Sequence, residues 1–173
     1  MTALPAADAL IAALAAKMRV AIDPARCALV GIHSGGAWIA ERLHRELGIA
    51  APLGTIDVGL HRDDLETSGL RSAMRASSVP FEVGGADIVL VDDVLYTGRT
   101  IRAAMNELFD YGRPDRIRLA ALIDRGGRHL PIAADFTAAV IELPDDREIV
   151  LARAADSTLS LRSAVRSQPG SGA

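Results

Sequence analysis

The chain has 173 residues, half of them hydrophobic, and a formal net charge of −3. This predicts one domain with a full core and does not favour a nucleic-acid protein. The longest apolar run, residues 9–16, is too short to span a bilayer, so no membrane association is expected. The single cysteine, Cys27, cannot form an internal disulfide, which fits a reducing cytoplasm.

Hydrophobic spacing predicts two helices and two extended segments at the start of the chain. Leu10, Leu14 and Met18 recur at helical spacing and form one apolar stripe. Gly48 is the predicted residue just beyond the second helix, because glycine readily takes the left-handed conformation found there. The predicted elements are a helix over 6–19, a strand over 28–32, a helix over 37–47 and an extended segment over 54–60.

Residues 62–80 show no clear period and mix charged side chains with Ser and Gly, which predicts a long surface loop or flap. Loops of this length inside a compact domain are usually functional or disordered. Arg62 and Asp63 lie at its start. They are either solvated charges or residues of a flexible loop that closes on a ligand.

The most informative segment runs from residue 88 to residue 109. A buried strand over 88–91 ends on two adjacent carboxylates, Asp92 and Asp93, and the polar loop 97–100 follows. A predicted helix then carries an apolar stripe, which consists of Ile101, Met105, Leu108 and Phe109. Loop amides at a helix N-terminus bind phosphate, whereas the two acids suit sugar hydroxyls or Mg²⁺. A ribose 5-phosphate group meets both demands.

The rest of the chain completes a pattern of strands alternating with helices, which predicts an α/β fold with an open, mostly parallel sheet. Strands are predicted over 118–123, 137–143 and 148–152. Residues 1–166 form one predicted domain, and residues 167–173 a disordered tail. Ligands of such sheets bind at the carboxyl ends of the strands. Three segments directly follow predicted strands and are therefore expected at this edge: 33–36, 92–100 and 124–128.

Several other functions are disfavoured. The four histidines lack metal-ligand spacing, so a structural zinc site is not expected. The sequence has neither a Gly-x-x-x-x-Gly-Lys-Ser/Thr loop nor a Gly-x-Gly-x-x-Gly motif, which argues against NTP hydrolysis and dinucleotide redox chemistry. Two Tyr, three Phe and one Trp are too few for an aromatic RNA-stacking platform.

Residues 91–100, Val-Asp-Asp-Val-Leu-Tyr-Thr-Gly-Arg-Thr, resemble the phosphoribosyl-pyrophosphate (PRPP) signature of type I phosphoribosyltransferases. Their form is most similar to the pyrimidine-operon regulator/uracil phosphoribosyltransferase family. The resemblance extends from about residue 28 to residue 135 through blocks in the same order, at 31–36, 53–57, 62–65, 111–114, 124–126 and 130–132.

The resemblance implies a type I phosphoribosyltransferase fold, with a flexible loop and a small hood. It implies a cytoplasmic homodimer that converts uracil and PRPP to UMP and pyrophosphate with Mg²⁺, which is bound through PRPP. Two alternatives stay open: a regulator that binds pyr-operon leader RNA and senses UMP and PRPP with little catalysis, and a phosphoribosyltransferase for another base.

The resemblance also implies roles for individual residues. Asp92 and Asp93 would bind the ribose hydroxyls and stabilise positive charge on the sugar ring. Arg125 and Ile149 would lie near the base and ribose; for Arg125 the alternative is a surface salt bridge. Arg62 and Asp63 would belong to the flexible loop. The phosphate loop comprises Val94, Leu95, Tyr96, Thr97, Gly98, Arg99 and Thr100. The pyrophosphate loop comprises Ser34, Gly35 and Gly36, where many relatives have Thr-Arg-Gly.

Overall fold

A computed structural model describes residues 4–59 and 76–166 of the chain. The predicted flexible-loop residues Arg62 and Asp63, and the predicted tail 167–173, lie outside the described residues. The helices in the described part of the chain are α1 (Ala7–Arg19), α2 (Gly35–Leu47) and α3 (Arg99–Tyr111). The strands there are β1 (Cys27–Ile32), β2 (Gly54–Ile56), β3 (Asp87–Leu95), β4 (Arg116–Asp124), β5 (Phe136–Val140), β6 (Arg147–Arg153) and β7 (Leu159–Val165).

Five of these strands form a parallel sheet in the order β2-β1-β3-β4-β5. Successive side chains of a strand point to opposite faces, so each strand contributes to two cores. Val89 and Val91 of β3 pack with α1 and α2 on one face, whereas Ile88 and Leu90 pack with α3 on the other. The predicted open parallel sheet flanked by helices is therefore confirmed.

The helices bury the stripes that their sequences indicate, with one exception. Leu10, Leu14 and Met18 of α1 are buried, and Gly48 ends α2 with a φ of 65°. The prediction for α3 was wrong at Phe109, which is 52% exposed. A helix turns about 100° per residue, so Phe109 lies well outside the stripe whose centre is Leu108.

Several strand boundaries also differ from the prediction; β5, for example, ends at Val140 and not at residue 143. The strand β3 does not end before Asp92: it continues through both carboxylates to Leu95, because Asp92, Val94 and Leu95 pair with Ala121, Ile123 and Asp124 of β4. The extended segment after α2 is shorter than expected and ends at Ile56.

The C-terminal strands β6 and β7 form a separate antiparallel hairpin in which Leu151 is paired with Leu161. The strand β7 was not predicted, although Leu159 and Leu161 alternate there with polar residues. Ile149, Leu151 and Leu159 are buried in the same core as α1 and α2. This hairpin corresponds to the small hood. None of the helices in the described ranges combines the length and apolarity that a bilayer crossing requires.

Candidate functional site

A cavity opens at the carboxyl end of β3, between the start of α3 and the hairpin. It brings together segments that are more than 70 residues apart in the sequence. Its lining residues are Asp92, Asp93, Val94, Leu95, Tyr96, Thr97, Gly98, Thr100, Ile101, Arg125, Glu148, Ile149 and Arg166.

The two carboxylates belong to consecutive residues of β3, and both line this cavity. Asp92 is 6% exposed and Asp93 is half-buried. Asp92 Oδ1 accepts a hydrogen bond from the backbone N–H of Asp93 at 3.1 Å, and Asp93 Oδ1 accepts one from that of Val94 at 3.0 Å. Carboxylate oxygens accept hydrogen bonds, which suits ligand hydroxyls.

The Ser34-Gly35-Gly36 loop lies directly against the acidic pair, at the start of α2. A Cβ at Gly35 would stand 2.3 Å from Asp93 Oδ2, and a Cβ at Gly36 would stand 2.3 Å from the carbonyl oxygen of Val91. The peptide bond between His33 and Ser34 is cis. Any side chain at position 35 would collide with the Asp93 carboxylate in this arrangement. Close packing on β3 therefore favours glycine at this position.

The predicted phosphate loop comprises the end of β3, the turn at residues 96–98 and the first two residues of α3. Gly98 precedes the helix with a φ of 92°, a left-handed conformation that glycine adopts without steric cost. Thr97 is buried, and its Oγ1 accepts a hydrogen bond from the backbone N–H of Arg99 at 3.2 Å. Thr97, Gly98 and Thr100 line the cavity, whereas the Arg99 side chain is exposed and is not among the lining residues.

Arg125 lies inside the site and does not form a surface salt bridge. It is 5% exposed, and its Nη2 donates hydrogen bonds to the carbonyl oxygens of Pro144 at 3.0 Å and Arg147 at 2.7 Å. Its guanidinium carbon lies 3.9 Å from the ring centroid of Tyr96. The Nε–H has no hydrogen-bond partner among the described residues. Arg125 therefore offers a buried N–H donor beside the cavity.

The hairpin contributes residues that sequence analysis did not assign to the site. Ile149 was predicted there, but Glu148 and Arg166 were not. The guanidinium carbon of Arg166 lies 5.0 Å from the ring centroid of Tyr96, and the backbone N–H of Arg166 donates to the carbonyl oxygen of Asp146. Arg166 follows β7, so the polar and apolar alternation in residues 159–165 was the signal that would have located it.

No cluster of three or more His, Cys, Asp or Glu side chains suited to a metal ion occurs within residues 4–59 and 76–166. The carboxylates at the cavity are Asp92, Asp93 and Glu148. One or two protein carboxylates, completed by substrate oxygens, are the usual arrangement for Mg²⁺. The donor set therefore fits an ion that is bound together with a phosphorylated ligand.

Comparisons with known proteins agree with this geometry. The sequence model of the phosphoribosyl transferase domain matches residues 1–153. The chain is 53% identical over 122 residues to the "Bifunctional protein PyrR" of Pseudomonas aeruginosa (strain LESB58), which covers 70% of this chain and 72% of that protein. It is 51% identical over 148 residues to the protein of the same name from Ralstonia nicotianae, with 84% of each chain covered.

Solved structures show the same fold. A hypoxanthine-guanine phosphoribosyltransferase from Bacillus anthracis superposes with a TM-score of 0.63 at 15% identity, with 84% of each chain covered. A purine phosphoribosyltransferase from Pyrococcus horikoshii superposes with a TM-score of 0.58 at 26% identity, with 79% of this chain and 83% of that chain covered.

Proposed function

Because the chain belongs to the phosphoribosyl transferase domain family, we propose that it is a uracil phosphoribosyltransferase, which makes UMP and pyrophosphate from uracil and PRPP. The observation that carries the proposal is the convergence of two carboxylates and a glycine-containing loop in one cavity. Two relatives named "Bifunctional protein PyrR" are 53% and 51% identical over the aligned residues. Together with the resemblance of residues 91–100 to the pyrimidine branch of the family, this favours uracil over a purine base.

In this proposal each wall of the cavity recognises one part of PRPP. The loop amides and the hydroxyls of Thr97 and Thr100 bind the 5-phosphate, and Asp92 and Asp93 accept the ribose hydroxyls. N1 of uracil gives up its proton to solvent and bonds to C1 of the ribose, while pyrophosphate leaves with the electron pair of its bond to C1. Positive charge grows on the sugar ring as that bond breaks. The adjacent carboxylates stabilise that charge.

The leaving pyrophosphate would bind at the Ser34-Gly35-Gly36 loop, a proposal supported by the contact of this loop with Asp93. This loop contains no arginine, so its backbone amides and Ser34 would be the donors. Mg²⁺, held through PRPP beside Asp92 and Asp93, would neutralise charge on the leaving group. On the other side of the cavity, the free Nε–H of Arg125 and the backbone near Ile149 are available to a base.

The direct test is a radiolabelled-base assay with PRPP, in which uracil, cytosine and hypoxanthine are compared with and without EDTA. We expect Mg²⁺-dependent formation of UMP and a clear preference for uracil. Transfer to hypoxanthine with none to uracil would reject the base assignment. An absence of transfer to any base, in protein that still binds UMP, would reject the enzyme and favour a sensor of nucleotides.

A second function, regulation through pyr-operon leader RNA, is suggested by the word "Bifunctional" in the names of the relatives. At the surface formed by α1, α2 and the end of β6, three arginines are paired with acidic residues. Such pairs offer little net positive charge to RNA. These pairs are Arg42 with Asp8, Arg19 with Glu46 at 3.5 Å and Arg153 with Glu41 at 3.2 Å. We therefore expect RNA binding to be weak and strongly salt-dependent. Tight binding at near-physiological salt that UMP enhances would make regulation the primary function.

We also propose that residues 1–166 form one domain and that the protein works as a homodimer in the cytoplasm. These assignments rest on the family and on the size of the chain.

A further inference from the structure

The guanidinium of Arg128 is enclosed where the end of β3 meets the loop after β4. Its Nη1 donates to the carbonyl oxygen of Tyr96 at 2.7 Å and, at a longer distance of 3.3 Å, to that of Leu95. Its Nε donates to the carbonyl oxygen of Ile132 at 2.9 Å, and its Nη2 forms an ion pair with Asp124. One side chain thus joins the ends of two neighbouring strands.

The backbone around Arg128 binds the same stretch of β3. Residues 125–132, the brace segment, run alongside residues 95–98. Ile132 and Leu130 pack so closely on Gly98 that a Cβ there would stand 3.3 to 3.4 Å from them. The backbone contacts are from the N–H of Arg125 to the carbonyl of Leu95 at 3.0 Å, and from the N–H groups of His129 and Leu130 to the carbonyl of Thr97 at 3.0 and 3.1 Å.

Three successive carbonyl groups, those of residues 95–97, are therefore turned toward the brace segment. In a trans peptide the C=O and the following N–H point in opposite directions, and the peptides of residues 95–98 are not among the cis bonds found in the described part of the chain. The N–H groups of residues 96–98 consequently point away from the brace segment. Thr97 and Gly98 line the cavity.

From this geometry we propose that Arg128 is a positioning residue, which orients the phosphate loop so that it presents N–H groups to the 5-phosphate. The carbonyl of Tyr96, the middle one of the three, is bound by the Arg128 side chain. The carbonyls of Leu95 and Thr97 are bound by backbone N–H groups. The inference rests on the proposed function, because it assumes that the loop binds a phosphate.

Removal of the guanidinium leaves the Tyr96 carbonyl without this donor in a partly buried place, which is costly. The peptide between Tyr96 and Thr97 is then free to rotate toward another donor, which would bring a carbonyl oxygen to the phosphate instead of an N–H. Lysine retains the charge, but its single ammonium group does not reproduce the planar fork that reaches both Tyr96 and Ile132. Arg128→Lys should therefore restore only part of the function.

Arg118 provides a matched control on the same strand. Its side chain is also largely buried, forms an ion pair with Asp87 at 2.9 Å and donates to the carbonyl oxygen of Ala21 at 2.8 Å. Arg118 lies six residues before Asp124 on β4, about 20 Å along the strand at ~3.3 Å per residue. Arg118→Met removes a comparable network without touching the phosphate loop.

The experiment compares the affinities for UMP and for uridine, which lacks the phosphate, by calorimetric titration of the full chain below the melting temperatures of all variants. Wild type should prefer UMP strongly. Arg128→Met should lower the UMP affinity at least tenfold and change the uridine affinity less than twofold, so that the preference collapses, with Arg128→Lys between the two. Arg118→Met should melt at a lower temperature but keep the wild-type preference.

An unchanged preference in Arg128→Met overturns the inference, as does an equal loss of preference in Arg118→Met. If Arg128→Met does not fold, the result with Arg128→Lys tests the inference. A full wild-type preference for UMP in that variant contradicts it, because lysine lacks the planar guanidinium on which the inference depends. Failure of the proposed function has a different signature: wild type itself would then bind UMP no better than uridine.

Discussion

At the scale of single residues, Asp92 and Asp93 have different surroundings even though they are neighbours. Asp92 is buried against the sheet, whereas Asp93 is half-buried and touches the Ser34-Gly35-Gly36 loop. Substitution of Asp93 therefore separates chemistry from folding better than substitution of Asp92.

We predict that Asp93→Asn lowers kcat by about a hundredfold or more, because removal of a preorganised charge beside the developing cation has effects of this order. The asparagine oxygen can still accept the Val94 N–H bond that Asp93 accepts at 3.0 Å, so the melting temperature should change little. The measurement is the Mg²⁺-dependent rate of UMP formation, with the exposed Asp110→Asn on α3 as the control. Wild-type turnover in Asp93→Asn would contradict the role of the pair.

Cys27 lies at the opposite end of the sheet from the site, and its thiol is predicted to be unreactive. The pKa of Cys27 is raised to about 11, mainly because the thiol is buried and secondly because of the negative charge of Asp87. The thiolate is the nucleophile, so Ellman's reagent should label the native protein far more slowly than the urea-unfolded protein at pH 8. Equal labelling rates would show that the thiol is accessible.

The same raised pKa predicts how stability depends on pH. An unfolded cysteine ionises near its ordinary value of 9.0, whereas the folded thiol stays protonated to about 11. The raised pKa therefore contributes to the free energy of unfolding in full below pH 9. This contribution is lost as the pH rises toward 11, by at most about 1.4 kcal/mol per pH unit. The measurement is the difference in unfolding free energy between wild type and Cys27→Ala in urea from pH 8 to 11. A difference that does not vary with pH would refute the prediction.

At the scale of elements, the turn from β3 into α3 combines a left-handed glycine with close packing. Gly98 has a φ of 92°, and a Cβ at this position would lie 3.3 Å from the side chain of Ile132. A β-branched residue is therefore opposed both by backbone conformation and by the neighbouring side chain.

We predict that the double variant Gly98→Val, Thr100→Ala weakens UMP binding more than tenfold, about 1.4 kcal/mol, because it displaces the loop amides and removes one hydroxyl. The control is Gly48→Ala at the end of α2, which has a φ of 65° and open space around it. That variant should lose stability by about 1 kcal/mol and bind UMP normally. Unchanged UMP affinity in the double variant, measured by calorimetry, would disprove phosphate binding by this loop.

At the scale of the whole molecule, the described surface leaves several large apolar side chains exposed. Val20 is 88% exposed, Val140 is 70% exposed and Val165 is 66% exposed. Burial of such side chains between subunits is favourable by ~25 cal/mol per Å² of apolar surface. We predict a homodimer in solution, with a mass by light scattering of twice the 18.2 kDa chain over a hundredfold range of concentration. A mass of 18.2 kDa throughout would reject it.

Features that depend on neighbouring residues could be predicted from the amino-acid sequence. Helix stripes such as Leu10, Leu14 and Met18, the buried strand before Asp92, and the glycine-containing loop at the start of α3 were all predictable, since each is a local pattern with a fixed period or a fixed conformational preference. Their alternation also predicted the parallel sheet and the edge at which its ligand site should lie.

The distant residues that complete this site became known from the three-dimensional fold. It extended β3 through the acidic pair by pairing with β4, buried Arg125 on Tyr96, and brought Arg166 from the end of the hairpin to the same ring. It also joined the side chain of Arg128 to the Tyr96 carbonyl. These contacts depend on strand register and on how the hairpin packs on the core, which no local period encodes.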